Sequence, residues 1–510
     1  MRNTSPDADS QAAIFDLAVI GAGINGAGIA RDAAGRGLRV LLCDMGDLAG
    51  ATSSASTKLI HGGLRYLETF DFRLVREALK EREVLLGLVP HIIQPLRFVL
   101  PHNPDMRPKW MIRAGLFLYD HLGGRQRLPG CRTVALPRHP TGASLRDGFR
   151  TAFVYSDCLV DDARLVVLNA LDASERGADV RLHTRATAAR RVGGLWQLTL
   201  ESEGHRQTVA ARAVVNATGP WAGAVMDRVF GLTTHQHLRL VKGSHIVVPR
   251  LYEGDHAYIL QNPDGRVVFA IPWEGDFTLI GTTEVDFTGD PADARITAAE
   301  VDYLRTSLAR YFKPAAGLRD EAIVWRYAGV RPLHDDAHAR ASRVSRDYVL
   351  EMDTDTDGQV PLLSVLGGKI TTYRRLAEAT LEKLGPTLDR SLGKPWTATA
   401  PLPGGDMEAA DFGRFAARFT ASHAWLPEPL ARRYARLYGT RAERLVTGIH
   451  DVSGLGRAFG AGLYEAEIAY LRGVEWARTA DDVLWRRTKL GLRFTPRERE
   501  LLSAWLAATP

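Results

Sequence analysis

Apolar positions along this chain alternate between two periods, and the first change of period comes near its start. Phe15–Ile20 is an apolar run broken only by Asp16, the pattern of a strand covered on both faces. Residues 24–36 then have helical character, and Val40–Cys43 is a second apolar run ending at Asp44. Further on, residues 70–88 read as a helix with a solvated face of mixed charge. Within 155–171, Asp161 or Asp162 can start a helix spaced through Leu165, Leu168 and Leu171. Short strand-like pieces follow at 180–182 and 196–200, and a buried-looking strand runs into Thr218-Gly219-Pro220.

From 238 to 285 the texture changes to short β-rich segments. Breaks at Pro263-Asp264-Gly265 and Glu274-Gly275-Asp276 predict hairpin turns, hence an antiparallel sheet separate from the first unit. Lys242, His245 and Thr282 are its polar candidates. Residues 323–330 resume a strand pattern, and 361–375 repeat strand, double glycine and helix start. Beyond about 394 the pattern is helical: Leu430, Tyr434, Leu437 and Tyr438 share a face that Gly439 can end, and Thr495-Pro496-Glu498 forms a capping box.

The turn between the first strand and helix carries Gly21, Gly23 and Gly26 at G-x-G-x-x-G spacing. Gly21 permits the tight turn, Gly23 lets backbone approach a pyrophosphate, and Gly26 lets helix and strand pack closely. The helix N-terminus offers free N–H groups and a positive dipole end, and Asp44 stands where a carboxylate can accept ribose hydroxyls. This unit binds a dinucleotide, with NAD and FAD both open at this point. The fold class expected is α/β (α+β overall): a Rossmann-like domain from 14–90, 150–222 and 323–385, and an antiparallel β substrate-binding cap from 91–149 and 223–322. A helical domain follows from 394–510, and 1–13 form a disordered lead-in.

Composition narrows the function classes. The 510 residues carry 65 Lys and Arg against 59 Asp and Glu, a formal charge of +6, which favours anionic small molecules or a membrane surface over dedicated nucleic-acid binding. Three cysteines without metal-ligand spacing suggest a reducing compartment and no metal site. No apolar run is long enough for a transmembrane helix, and 1–13 lack a secretory pattern. Between Arg97 and Arg138, eight Lys or Arg face two acidic residues, interleaved with Trp110, Met111, Phe117 and Tyr119. Residues 106–127 are thus a candidate membrane-contact segment; a core-facing helix with a basic solvent face is the alternative.

Residues 51–68, ATSSASTKLIHGGLRYLE, gather small hydroxyls, a glycine pair, Lys58, His61, Arg65 and Tyr66, suited to phosphate oxygens and a flat ring. Together with GAGINGAGIARDAAGRGL, YSDCLVDDARL, NATGPW, KGSHIVVPR, IGTTEVDF, GVRPL and SVLGGKITTYR, this chain resembles the FAD-dependent, membrane-associated respiratory glycerol-3-phosphate dehydrogenase family. The resemblance implies non-covalent FAD and oxidation of sn-glycerol 3-phosphate to dihydroxyacetone phosphate. It further implies transfer of electrons to a membrane quinone by a cytoplasmic protein attached peripherally to the inner face of the membrane; monomer or homodimer stays open. It assigns Gly21, Gly23, Gly26, Asp44, Thr52, Ser53, Ser56, Lys58, Leu59, Gly219, Gly367, Gly368 and Thr371 to the cofactor. Arg65, Tyr66, His245, Arg331, Arg346 and Lys369 fall to the substrate. His61 is the favoured general base, because its ordinary pKa is near neutral and its HGG turn lies against the ring. His245 is the second choice, and Arg331 can stabilise the developing alkoxide. A glycerol-3-phosphate oxidase and a non-catalytic flavin sensor are the competing readings.

Overall fold

The computed structural model describes residues 14–67, 71–104, 106–124, 126–233, 238–313, 318–334, 347–355, 357, 359–388 and 392–509. The lead-in and Arg346 therefore lie outside the described residues. Strand β1 (Phe15–Ile20), helix α1 (Ile24–Gly35) and strand β2 (Val40–Cys43) form the expected first unit. β1 lies parallel to β2 on one side and to His205–Asn216 on the other, and Leu362–Gly367 pairs parallel beyond that. Every residue of β1 and β2 is buried, which is why β2 reads as an unbroken apolar run and β1 as one broken only by the buried Asp16. α1 is buried along most of its length, because the sheet, helix Asp162–Glu175 and helix Tyr373–Leu384 enclose it, and its buried Arg31 is paired with Asp172. The approach is close at Gly28, where an added Cβ would stand 2.6 Å from the Tyr373 ring.

The second sheet has the order Val285–Asp286, Leu238–Pro249, Phe277–Gly281, Val267–Trp273, His256–Gln261, Ile93–His102, Thr151–Val160, Leu59–Ile60. Both expected hairpin turns are present in it, and His256–Gln261 runs parallel to Ile93–His102. Three boundaries differ from expectation, the first at Leu59–Ile60, which lies within 14–90 yet pairs in this sheet. Thr151–Val160 and Trp325–His334 pair within this second sheet, whereas the sequence assigned 150–222 and 323–385 wholly to the dinucleotide domain. A strand period reports burial and not the partner strand, so those residues could not reveal which sheet they join.

Helix α2 (Phe72–Leu88) covers one face of the second sheet together with α3 (Lys109–Leu122). α4 (Asp162–Glu175) starts with Asp161 as its cap, accepting the Arg164 N–H. The C-terminal region has its own core, in which Leu430, Tyr434, Leu437 and Tyr438 are buried, and Thr495 forms the capping box with Glu498. A short two-stranded ribbon, Ala458–Gly460 with Leu463–Tyr464, interrupts its helices.

Candidate active site

The carboxyl ends of β1, His205–Asn216 and Leu362–Gly367 meet at the start of α1, as expected where an open α/β sheet receives a ligand. Gly21 has φ +104°, and its N–H donates to Cys43 O at 2.8 Å. A Cβ at Gly21 would lie 2.6 Å from Ala217 O, and one at Gly26 only 1.8 Å from Gly21 O. Asp44 Oδ2 accepts from Ala22 N at 2.7 Å and Oδ1 from Gly46 N at 2.8 Å. Burial raises the Asp44 pKa, and those two N–H groups oppose the rise.

Ser53 Oγ accepts from Ile24 N at 3.0 Å, which brings the 51–58 loop to the helix N-terminus. Across the cradle, Gly367 and Gly368 have φ +84° and +100°, and Asn25 Nδ2 donates to Gly367 O at 3.3 Å. Asn25 Oδ1 is buried without a partner among the described residues, an acceptor directed into a cradle walled by glycine. Gly219, at φ +57°, turns the chain after His205–Asn216. A glycine-walled backbone cradle at a helix N-terminus, with Asp44 on one rim and the Ser53 hydroxyl beside the first helical N–H, fits the ADP half of FAD.

The other end of the cradle holds the charged residues. His61 N–H reaches Thr371 Oγ1 at 3.3 Å, and Lys369 Nζ donates to His61 O at 2.5 Å. The same ammonium lies 5.6 Å from the centre of the Tyr66 ring. Gly62 N–H donates at 2.8 Å to Tyr119 Oη, which donates in turn to the buried Asp157, itself paired with Arg82. α3 thereby fixes the HGG turn from behind.

Arg331 Nη2 donates to Thr282 Oγ1 at 3.0 Å. Glu284 stands between two guanidinium groups, 3.8 Å from Arg331 Nη1 and 3.8 Å from Arg65 Nη1. His245 stacks on Tyr327 with centroids 4.7 Å apart, and its Nε2 lies 2.9 Å from Thr57 Oγ1. Gly281 makes room for that ring: a Cβ there would stand 2.0 Å from His245 Cδ2. Burial, then the nearby Arg331 and Lys58 charges, hold the His245 pKa well below the ordinary imidazole range.

Five candidates have other work. Lys58 is fully buried, with Nζ 2.9 Å from both Asp162 oxygens and 3.0 Å from Ser54 O, so its ammonium is spent inside the protein. Ser56 Oγ also donates to Asp162, at 2.7 Å. Lys242 pairs with Glu300 at 2.9 Å. Thr52 Oγ1 donates to Val330 O, and Leu59 is buried in its short strand. Sequence reasoning missed Glu284, Thr57 and Tyr119 as neighbours of the site. Glu284 had a signal, its place two residues after Thr282 in IGTTEV, but an acid is an unexpected neighbour for residues expected to bind an anion.

A family model described as FAD dependent oxidoreductase matches residues 16–374, and one described as C-terminal domain of alpha-glycerophosphate oxidase matches 395–507. A glycerol-3-phosphate dehydrogenase of Pseudomonas aeruginosa is 53% identical over 498 residues, covering 97% of this chain and 95% of that protein. The chain belongs to the FAD-dependent glycerol-3-phosphate dehydrogenase family. It is an oxidoreductase, and its cofactor is FAD.

Two further family likenesses have a bearing on the site. A Brucella abortus protein named D-erythritol 1-phosphate dehydrogenase is 51% identical over 492 residues, covering 96% of this chain and 97% of its own. The crystal structure of the Bacillus halodurans glycerol-3-phosphate dehydrogenase complexed with FAD aligns with TM-score 0.72 at 28% identity, covering 97% of this chain and 94% of that one.

Proposed function

We infer that the protein oxidises the secondary alcohol of sn-glycerol 3-phosphate to dihydroxyacetone phosphate and passes the electrons to a membrane quinone. The observation that supports the reading is the pair of guanidinium groups, Arg65 and Arg331, flanking Glu284, with Lys369 on the carbonyl of His61 in the HGG turn. A phosphomonoester dianion needs several cations to replace its water, and residues of this type can supply them. Arg forks suit phosphate oxygens and Lys supplies a point charge. When bound, FAD accepts the hydride leaving the carbinol carbon.

In this reading His61 takes the hydroxyl proton and Arg331 stabilises the oxygen as it gains charge. His245, with its pKa held low by burial, is the poorer proton acceptor; stacked on Tyr327, it serves to shape the pocket. Tyr66 lines the phosphate side with Lys369. In the cofactor cradle, Gly21, Gly23, Gly26 and Asp44 hold the ADP end, while Ser53, Gly367, Gly368 and Thr371 approach the pyrophosphate and ring.

The quinone half of the proposal is supported by α3. Its Trp110 is 69% and its Phe117 62% exposed, beside Arg107, Lys109 and Arg113, while Leu116 and Tyr119 face inward. Exposed aromatics among cations suit peripheral attachment to an anionic membrane at its inner, cytoplasmic face. No described helix is long and apolar enough to cross a membrane.

An anaerobic titration tests the reading. Glycerol 3-phosphate is expected to bleach the flavin band, and a quinone to restore it faster than air. No bleaching refutes the substrate, and faster recovery in air refutes the acceptor. Bleaching at a higher rate by erythritol 1-phosphate would move the substrate to the four-carbon polyol phosphate named for the Brucella relative. A His61→Asn protein whose flavin reduction rate and pH profile match wild type would remove His61 as the base.

A further inference from the structure

The loop from Asp44 to Lys58 forms one rim of the FAD cradle, through Asp44 at the glycine turn and Ser53 at the N-terminus of α1. It contains no strand, and one short turn, Thr52–Ser54, is its sole helical piece. No strand pairing runs along it; backbone bonds such as Ala49 N–H to Ala22 O and His183 N–H to Gly46 O tie it at single points, and side chains from outside it supply the rest of its anchoring.

Beside Asp162 and Tyr327, which hold Ser56, several of those side chains come from one stretch of the C-terminal domain. Asp482–Arg487 is wound as a π-helix, a rare geometry that projects consecutive residues unusually, and Lys489 follows in left-handed backbone at φ +60°. Arg487, fully buried, forks onto Asp47, with Nη1 to Oδ2 and Nη2 to Oδ1 both 2.8 Å. Arg486 Nε adds a third bond to Asp47 Oδ2 at 2.6 Å. Asp47 lies three residues past Asp44.

At the other end of the loop, Lys489 Nζ donates to Asp161 Oδ1 at 2.8 Å. The adjacent Asp162 holds Lys58 Nζ and Ser56 Oγ. One short segment thus grips the rim at Asp47 directly and at Ser56–Lys58 through the first turn of α4. Asp161, Asp162, Asp47, Lys58, Arg487 and Lys489 are all buried or nearly so, and the ion pairs are shielded from salt and water.

We propose that the 482–489 segment is a clamp on the cofactor loop, and that Arg487 and Lys489 are positioning residues for FAD although neither belongs to the dinucleotide domain. The role of the C-terminal domain is then to keep the cradle closed. By linkage, bound FAD must tighten the docking of that domain by the same factor with which the docking tightens FAD.

The test uses full-length holoenzyme carrying Arg487→Met or Lys489→Met, with Arg441→Met as control. Arg441 pairs with Glu175 at the far end of α4, across the same domain boundary and remote from the loop. FAD release is followed by the rise of free-flavin fluorescence on dilution. Both clamp variants are expected to release FAD at least tenfold faster than wild type, with kcat at saturating FAD within twofold. The control is expected to stay within twofold in both respects, and Arg487→Lys to recover part of the loss. FAD is also expected to protect the C-terminal domain from trypsin in wild type and less in the variants. Where Arg487→Met fails to fold, Lys489→Met and Arg487→Lys decide. Release rates within twofold of wild type in folded variants, or equal acceleration in Arg441→Met, would overturn the proposal.

Discussion

Gly26→Ala is expected to strip the enzyme of its flavin while leaving most of the chain folded. The added Cβ would lie 1.8 Å from Gly21 O, where ordinary contact begins at 3.4 Å. The obstacle is a backbone carbonyl in a turn whose own N–H is bonded to Cys43 O, so it cannot swing aside as a side chain would. Over-packing usually costs about 1–3 kcal/mol, and a rigid obstacle of this kind belongs at the upper end. The strain is relieved by withdrawing the N-terminus of α1 from the phosphates, so the cost falls on cofactor affinity. Since each 1.4 kcal/mol is about tenfold, ~3 kcal/mol corresponds to a roughly hundredfold rise in the FAD Kd. The assay is flavin titration of apo-protein, followed by fluorescence quenching. Gly115→Ala serves as control: it sits in helix α3 with nothing within 4 Å of the new methyl. Replacing a mid-helix glycine there is expected to stabilise the protein by about 0.5–1 kcal/mol. A Gly26→Ala protein purified with full flavin and a Kd within twofold of wild type would refute the steric argument.

Two further outcomes follow from burial and exposure. His256 has its pKa lowered to about 4, first by burial and then by His139, so between pH 6.5 and about 4 the unfolded chain holds a proton that the folded one lacks. Stability therefore falls as pH drops through that window, by about 1.4 kcal/mol per pH unit for this residue. Urea unfolding of His256→Phe at pH 6.5 and 5 should show a correspondingly shallower loss; parallel curves would contradict it. On α3, Trp110→Glu with Phe117→Glu should abolish flotation with anionic liposomes and leave anaerobic flavin reduction unchanged. Undiminished flotation would move the membrane contact elsewhere.

Much of the chemistry was legible in the order of residues because it is carried by local backbone geometry. A glycine turn between a buried strand and a helix specifies its own shape, and so Gly21, Gly26 and Asp44 stand where their spacing put them. The hairpins at Pro263-Asp264-Gly265 and Glu274-Gly275-Asp276 were legible for the same reason. Sheet membership was not: Trp325–His334 joins Leu238–Pro249, and its apolar run would look the same in either sheet.

The sequence by itself determined a dinucleotide cradle, a β-rich second layer, a helical C-terminal domain and a set of candidate cations. Only the tertiary structure decided which cations are locked into buried ion pairs. Lys58 and Arg331 carry equal charge and sit in equally suggestive strings. Lys58 is fully buried against Asp162, while Arg331 is partly exposed and lies beside Thr282 and Glu284. Ion pairing joins residues more than a hundred positions apart, as in Lys58 with Asp162 and Asp47 with Arg487, and a force that depends on distance in space leaves no period along the chain.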